Sequence, residues 1–226
     1  FLGTHRIYNK VITKLSTKYD VISVDLPGHG KSPYVQNLLS VYDYAEKILE
    51  LLSVLKIDKA TWVGHSFGGY ITMAAIDRFP NKLNRAAIVY SSAAPDKPCT
   101  KDKRNIQIED IKKEGMKAFV KQRIRGYFDI DANPDDIRFA TELGNETSEE
   151  GAIAALQAMR DRPSQLKTAN QVNIPLFVLE GTKDQFVEKF DSASPLVTFS
   201  KTETSHMGML DDPEGFLKEL EKWLIM

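Results

Sequence analysis

The chain has a single cysteine, Cys99, in 226 residues. One thiol closes no internal disulfide, and no cysteine cluster offers a zinc site. A reducing compartment, the cytoplasm, fits this usage. No apolar run approaches the roughly 20 residues needed to cross a bilayer, so no membrane association is expected. The opening residues do not read as a signal peptide. A positive excess is also lacking: 30 basic residues face 31 acidic ones, a formal net charge of −1. A nucleic-acid partner is therefore not expected, because phosphate neutralisation needs a basic surplus. The clusters Lys101, Lys103, Arg104 and Lys112, Lys113 are interleaved with acids and read as solvated faces. There is no internal repeat and no low-complexity tract. An initiator Met is absent too; the chain opens on Phe1-Leu2-Gly3, and residues upstream are expected to exist.

What is present is an ordinary globular composition, 42% hydrophobic and 27% charged, long enough for one sizeable core. The pattern alternates strands and helices, which favours a mainly parallel sheet. Tyr19–Asp25 reads as a strand, Val41–Leu55 as a helix, Lys59–Gly64 as a short buried strand, Phe67–Phe79 as a helix and Leu83–Tyr90 as a strand. From Pro95 to Asn170 the rhythm changes to polar helices, the clearest being Ile108–Arg125 and Gly151–Arg160. Strands resume with Ile174–Glu180 and Pro195–Ser200, and Pro213–Leu224 reads as a closing amphipathic helix. The expected plan is a parallel α/β core, residues 1–94 and 171–226, interrupted after the strand ending near Tyr90 by a helical cap, residues 95–170. A structureless loop of about 75 residues is implausible, so the insertion should form its own layer.

Gly64-His65-Ser66-Phe67-Gly68 fits G-x-S-x-G, followed by Gly69. An apolar strand precedes it and a long helix follows, the context of a nucleophile elbow. Small neighbours allow a tight strained turn, and the helix N-terminus favours a developing oxyanion. A serine hydroxyl needs a general base, and the base needs an orienting acid. On such a sheet the chain order is serine, acid, histidine. Of four histidines, His5 and His29 precede the elbow, His65 adjoins Ser66 and should point away from its hydroxyl, and only His206 lies downstream. Asp184, in the turn after Ile174–Glu180, is the favoured acid, because carboxyl-end loops of parallel strands hold the chemistry. Asp96 is its rival and Asp191 a third choice. Gly30-Lys31-Ser32 ends like a phosphate-binding loop, but Asp25 stands where that loop needs glycine.

Four ordered segments, DLPGHGKS from Asp25 to Ser32, the elbow GHSFGG, the turn GTKD and SHMG, resemble the α/β-hydrolase fold, in its esterase and lipase-like branch with a helical cap. The resemblance implies a serine hydrolase with Ser66, Asp184 and His206 as catalytic residues and no cofactor or metal. It makes His29 structural. It assigns the oxyanion donors to the backbone of Phe67 and of Phe1, which stands at the end of a loop whose preceding residues, with the first strands, are absent. The 22-residue spacing from Asp184 to His206 is tight, so the helix between them should be short or irregular. Leu2, Phe67 and Met207 flank the catalytic groups and should line the substrate pocket with Phe1. In the insertion Leu156, Met159 and Tyr127 are candidates, with Ile153, Met116, Phe119 and Phe128, although apolar stripes usually only pack. The expected partner is a small molecule, an ester with a small to medium apolar acyl group cleaved through an acyl-enzyme on Ser66. Two alternatives stand: a lyase, synthase or carbon–carbon bond hydrolase using the same three residues, or a non-catalytic binding protein. Oligomeric state is not legible.

Overall fold

The computed structural model describes residues 1–226. Four strands, β1 (Ala60–His65), β2 (Leu83–Val89), β3 (Leu176–Gly181) and β4 (Val197–Thr202), form one parallel sheet in the order β1-β2-β3-β4. The register pairs Val63 with Ala87, Ile88 with Val178, and Val178 with Phe199. All four strands therefore present their carboxyl ends at one edge. The central strands are apolar on both faces, as a sheet covered by helices requires. Helix α1 (Asn9–Leu15) follows the N-terminal segment, and α2 (Val41–Val54) starts from a capping box of Ser40 and Asp43. Helix α3 (Phe67–Arg78) packs against β1, β2 and α2.

Between β2 and β3 lie α4 (Pro98–Glu114), α5 (Met116–Ile124), α6 (Pro134–Gly144), α7 (Glu149–Asp161) and α8 (Leu166–Asn170). The short α9 (Gly208–Asp211) and α10 (Pro213–Leu224) end the chain. Helix α10 covers the sheet by stacking Trp223 on Phe177, ring centroids 5.3 Å apart. No helix is long and apolar enough to cross a membrane.

The structure differs from the sequence reading in three places. Tyr19–Asp25 is extended but unpaired; its backbone joins no ladder, and Tyr19, Val21 and Ile22 stay exposed. Strand propensity is local, whereas a ladder needs a neighbour. The expected helix Ile108–Arg125 is two helices, the first beginning ten residues earlier at Pro98, with the break at Gly115, where φ is 80°. Residues 182–196, between β3 and β4, contain no helix at all, the extreme of the irregular connection expected there.

The insertion is fastened to the core. One apolar cluster runs from Ile88 and Val178 in the sheet to Leu143 and Leu156 in the insertion. Asp96 is buried and accepts from Arg104 Nε at 3.1 Å and Arg162 Nη1 at 2.7 Å. The loop around Gly28 meets the start of α7: Ser148 donates its N–H to the Gly28 carbonyl at 2.9 Å, and Gly30 donates to the Glu146 carbonyl at 3.0 Å. A Cβ on Gly151 would lie 2.6 Å from the Gly28 Cα. In an exposed helix a Gly-to-Ala change stabilises by about 1 kcal/mol. Here the sign should reverse: Gly151→Ala should cost about 1–3 kcal/mol through overpacking, read as a melting temperature several degrees lower.

Candidate active site

The site begins with a backbone problem. Strand β1 must reverse into α3 within one residue, and Ser66 takes φ 51° and ψ −113° to do so. Few non-glycine residues hold a positive φ, so the surroundings must enforce it. The Ser66 N–H donates to the Val89 carbonyl at 3.1 Å, and the Ser91 hydroxyl donates to the Ser66 carbonyl at 2.7 Å. The strand and helix approach so closely that a Cβ on Gly64 would sit 2.2 Å from the Gly68 oxygen, and one on Gly69 2.3 Å from Ser91 Oγ. A Cβ on Gly68 meets nothing, so the tight packing falls on Gly64 and Gly69 and not on the last glycine of the motif. Leu2 and Tyr90 also have positive φ, 56° and 50°.

Three of the residues picked from sequence come together. His206 Nε2 lies 2.8 Å from Ser66 Oγ, and its Nδ1 lies 2.8 Å from Asp184 Oδ2. The second carboxylate oxygen of Asp184 accepts the Phe186 N–H at 2.8 Å. With Nδ1–H donating to the carboxylate, Nε2 is left as an acceptor facing the Ser66 hydroxyl. The side chains of His206 and Asp184 are only 6% and 3% exposed, so the pair is shielded from competing water. Asp96, its rival in the sequence, has both oxygens occupied by arginines and makes no hydrogen bond to His206. Asp191 is exposed.

His65 points away from the Ser66 hydroxyl, as expected, and its ring has a task that sequence does not reveal. His65 Nε2 is 2.8 Å from the His206 carbonyl. Burial, reinforced by nearby His206, holds the His65 ring well below the ordinary histidine pKa, so it is neutral with one proton. A carbonyl only accepts, so that proton resides on Nε2. The His206 loop is also held by Tyr90, whose hydroxyl reaches Thr202 Oγ1 at 3.0 Å, with Thr204 Oγ1 2.8 Å further on. Asp211 receives the Ser205 N–H at 2.9 Å from the loop's other side. His29 lies apart from the Ser66 group: its Nδ1 donates to the Pro27 carbonyl at 3.2 Å, and its Nε2 is buried without a partner.

Of the residues expected to line a pocket, Tyr127 lies against the His206 ring, centroids 5.2 Å apart. Phe186 covers the same ring at 5.6 Å and meets Tyr127 edge-on at 5.1 Å. Phe186 was not legible, since it lies in an irregular segment without periodicity; its only signal is standing two residues after Asp184. Leu2 and Met207 are buried beside the catalytic segments. Leu156 and Met159 are buried in α7, which packs on α3 and α4, so the structure gives them a packing role. The Phe67 ring is fully buried edge-on against Tyr44, centroids 4.9 Å apart, so it does not line a pocket and only its backbone N–H is available to the site. That N–H is among those a helix start leaves without an intrahelical partner. The Phe1 ring meets His29 at 6.4 Å and Phe119 at 6.3 Å. No group of three or more His, Cys, Asp or Glu side chains is disposed to hold a metal ion.

Two histidines, His29 and His65, make stability depend on pH. Burial pulls His29 down to about 4 from the ordinary 6.5, and His65 lies well below it. The unfolded chain therefore binds these protons first. Stability should be full above about pH 6.5 and fall as the pH drops toward 4, with a slope of up to one proton per histidine. Denaturant titrations between these limits should show it, and His29→Gln should remove about one proton from the slope.

Comparison with known proteins bears on the fold. A stretch of 82 residues is 42% identical to an uncharacterised protein of Mycobacterium tuberculosis, covering 36% of this chain and 24% of that protein's length. The chain thus spans about a quarter of that relative. The 3-oxoadipate enol-lactonase 1 of Acinetobacter baylyi is 25% identical over 229 residues, 96% of this chain and 83% of the relative. Among solved structures, a thermophilic esterase from Thermogutta terrifontis superimposes with a TM-score of 0.87 at 22% identity, over 100% of this chain and 86% of the other. Residues 1–196 match the model of the alpha/beta hydrolase fold family, and with the parallel sheet and the strained serine turn in view, the chain belongs to that family.

Proposed function

We propose that the chain is a serine hydrolase that cleaves carboxylic esters by two-step acyl transfer. The observation that carries this reading is the continuous hydrogen-bonded line from Ser66 Oγ through both nitrogens of His206 to Asp184, each link 2.8 Å. His206 takes the Ser66 proton as the oxygen attacks the carbonyl carbon. Asp184 keeps the imidazole in the useful tautomer and stabilises the imidazolium. The main-chain nitrogens of Phe67 and Phe1 hold the oxyanion. His206 then hands its proton to the leaving alcohol, and water repeats the sequence in reverse to free the acid. The helices between β2 and β3 act as a cap, with Tyr127 and Phe186 walling the base and favouring an apolar acyl group near the reacting carbon.

A cyclic ester is the second reading. The relative aligned along nearly the whole chain is an enol-lactonase, and a lactone carbonyl presents the same electrophile to the same three residues.

Ser66→Ala should lose both esterase activity and covalent labelling by a fluorophosphonate while its melting temperature stays close to that of the parent; full activity in this variant would refute the assignment. Asp184→Asn should lower kcat by about 10²–10⁴ because the imidazole is left in the wrong tautomer. A panel of 4-nitrophenyl esters of graded acyl length, run beside enol-lactones, distinguishes the two readings by kcat/KM.

A further inference from the structure

Helix α5 runs on through a tight turn at Arg125–Tyr127, and Phe119, Arg123 and Tyr127 recur every fourth residue. That spacing puts them on one side. The contacts at both ends show which side it is. Phe119 meets the Phe1 ring at 6.3 Å, and Tyr127 meets the His206 ring at 5.2 Å. Arg123 therefore stands between the Phe1 segment and the His206 imidazole. Its guanidinium carbon lies 5.6 Å from the Tyr127 ring centroid and 5.1 Å from that of Phe186, one aromatic layer from the imidazole.

This guanidinium has no counter-charge. No Asp or Glu oxygen lies within 4.0 Å of it, and its Nε is buried with no acceptor. Its one polar neighbour is the Gln107 amide, which, with its oxygen turned to the arginine, accepts from Nη1 and Nη2 at 3.2 Å. A neutral amide satisfies hydrogen bonds and leaves the charge standing. Asp184 is engaged by His206, Asp129 by Lys183, and Asp96 by both Arg104 and Arg162. Two guanidiniums on the one Asp96 carboxylate leave a further positive excess. A half-buried cation held by a neutral amide and two aromatic faces still lacks a neutralising charge, and a site that keeps one is suited to an anion.

Resting on the ester-hydrolase reading and narrowing its substrate, we propose that Arg123 anchors a carboxylate at the non-reacting end of the substrate. The substrate is then an ester or lactone with an apolar stretch between the scissile carbonyl and a terminal carboxylate. The planar guanidinium fork suits a carboxylate better than a lysine would.

The test compares mono-4-nitrophenyl glutarate, whose acyl chain ends in a carboxylate, with 4-nitrophenyl pentanoate, which has a methyl end. The parent chain should favour the glutarate ester in kcat/KM. Arg123→Met, which keeps the packing of the stem, should lower that preference ratio about tenfold or more. Arg123→Lys should restore part of it. An unaltered ratio in Arg123→Met, or a parent preference for the pentanoate, overturns the proposal. Binding of free glutarate to the Ser66→Ala chain, followed by calorimetry, is an independent readout: it should saturate, and it should be lost with Arg123→Met. If glutarate binds through Arg123 while neither ester turns over, the carboxylate anchor stands and the ester-hydrolase reading falls. If the pentanoate turns over and glutarate does not bind, the reverse holds.

Discussion

The positive φ of Ser66 is the constraint on which the rest of the structure depends. A non-glycine residue in that region costs on the order of 1–3 kcal/mol, so it persists only where its neighbours leave no alternative. Here the neighbours are identifiable. The Ser66 amide and carbonyl are tied to Val89 and Ser91, both at the end of the adjacent strand. Gly64 and Gly69 remove the side chains that would otherwise force β1 and α3 apart. The strain has a geometric result: it lifts the hydroxyl off the sheet edge to where an imidazole from a distant part of the chain can reach it.

The reach of that imidazole is set from behind as much as from the front. His206 hydrogen-bonds Ser66 through its side chain, while its carbonyl takes the Nε2 proton of His65, the residue directly before Ser66. The nucleophile loop and the base loop are thus joined twice, through adjacent residues. Burial keeps His65 neutral, which matters for more than its own hydrogen bond. The two imidazole centroids are 5.0 Å apart, and in the proposed mechanism a charged His65 would oppose the positive charge that His206 takes on during proton transfer. The desolvation that makes His65 a poor base makes it a suitable neighbour for a good one.

These relations show what could be read from sequence and what could not. The meeting of Ser66, His206 and Asp184 was legible because each is fixed by chain order and by its position at a strand's carboxyl end, both of which survive in one dimension. The helices Val41–Val54 and Pro213–Leu224 were legible because their apolar faces repeat with helical period. Helix α4 was half-missed because its surface is polar throughout and its early turns carry no apolar stripe. Tyr19–Asp25 has the composition of a strand, yet pairing is a property of neighbours and not of composition. Phe186 and the bond from His65 to the His206 carbonyl were invisible for the same reason: one lies in a segment without period, and the other joins residues 141 positions apart.

The insertion completes the argument, because it decides what surrounds the reacting atoms. Its polar surface and its apolar contact face belong to the same helices, so the roof is held by the same cluster that fills the sheet. The contacts that fix it converge near the chemistry: the Gly28–Gly151 approach, the Asp96 ion pairs, and Phe119 and Tyr127 of the α5 segment resting on the Phe1 ring and on His206. Because Tyr127 rests on the His206 ring, the position of the insertion and the position of that imidazole are coupled. On the ester-hydrolase reading proposed above, a substrate beneath α5 meets the aromatic rings around His206 and the Arg123 guanidinium together, so its selection and the alignment of that imidazole depend on the same few contacts.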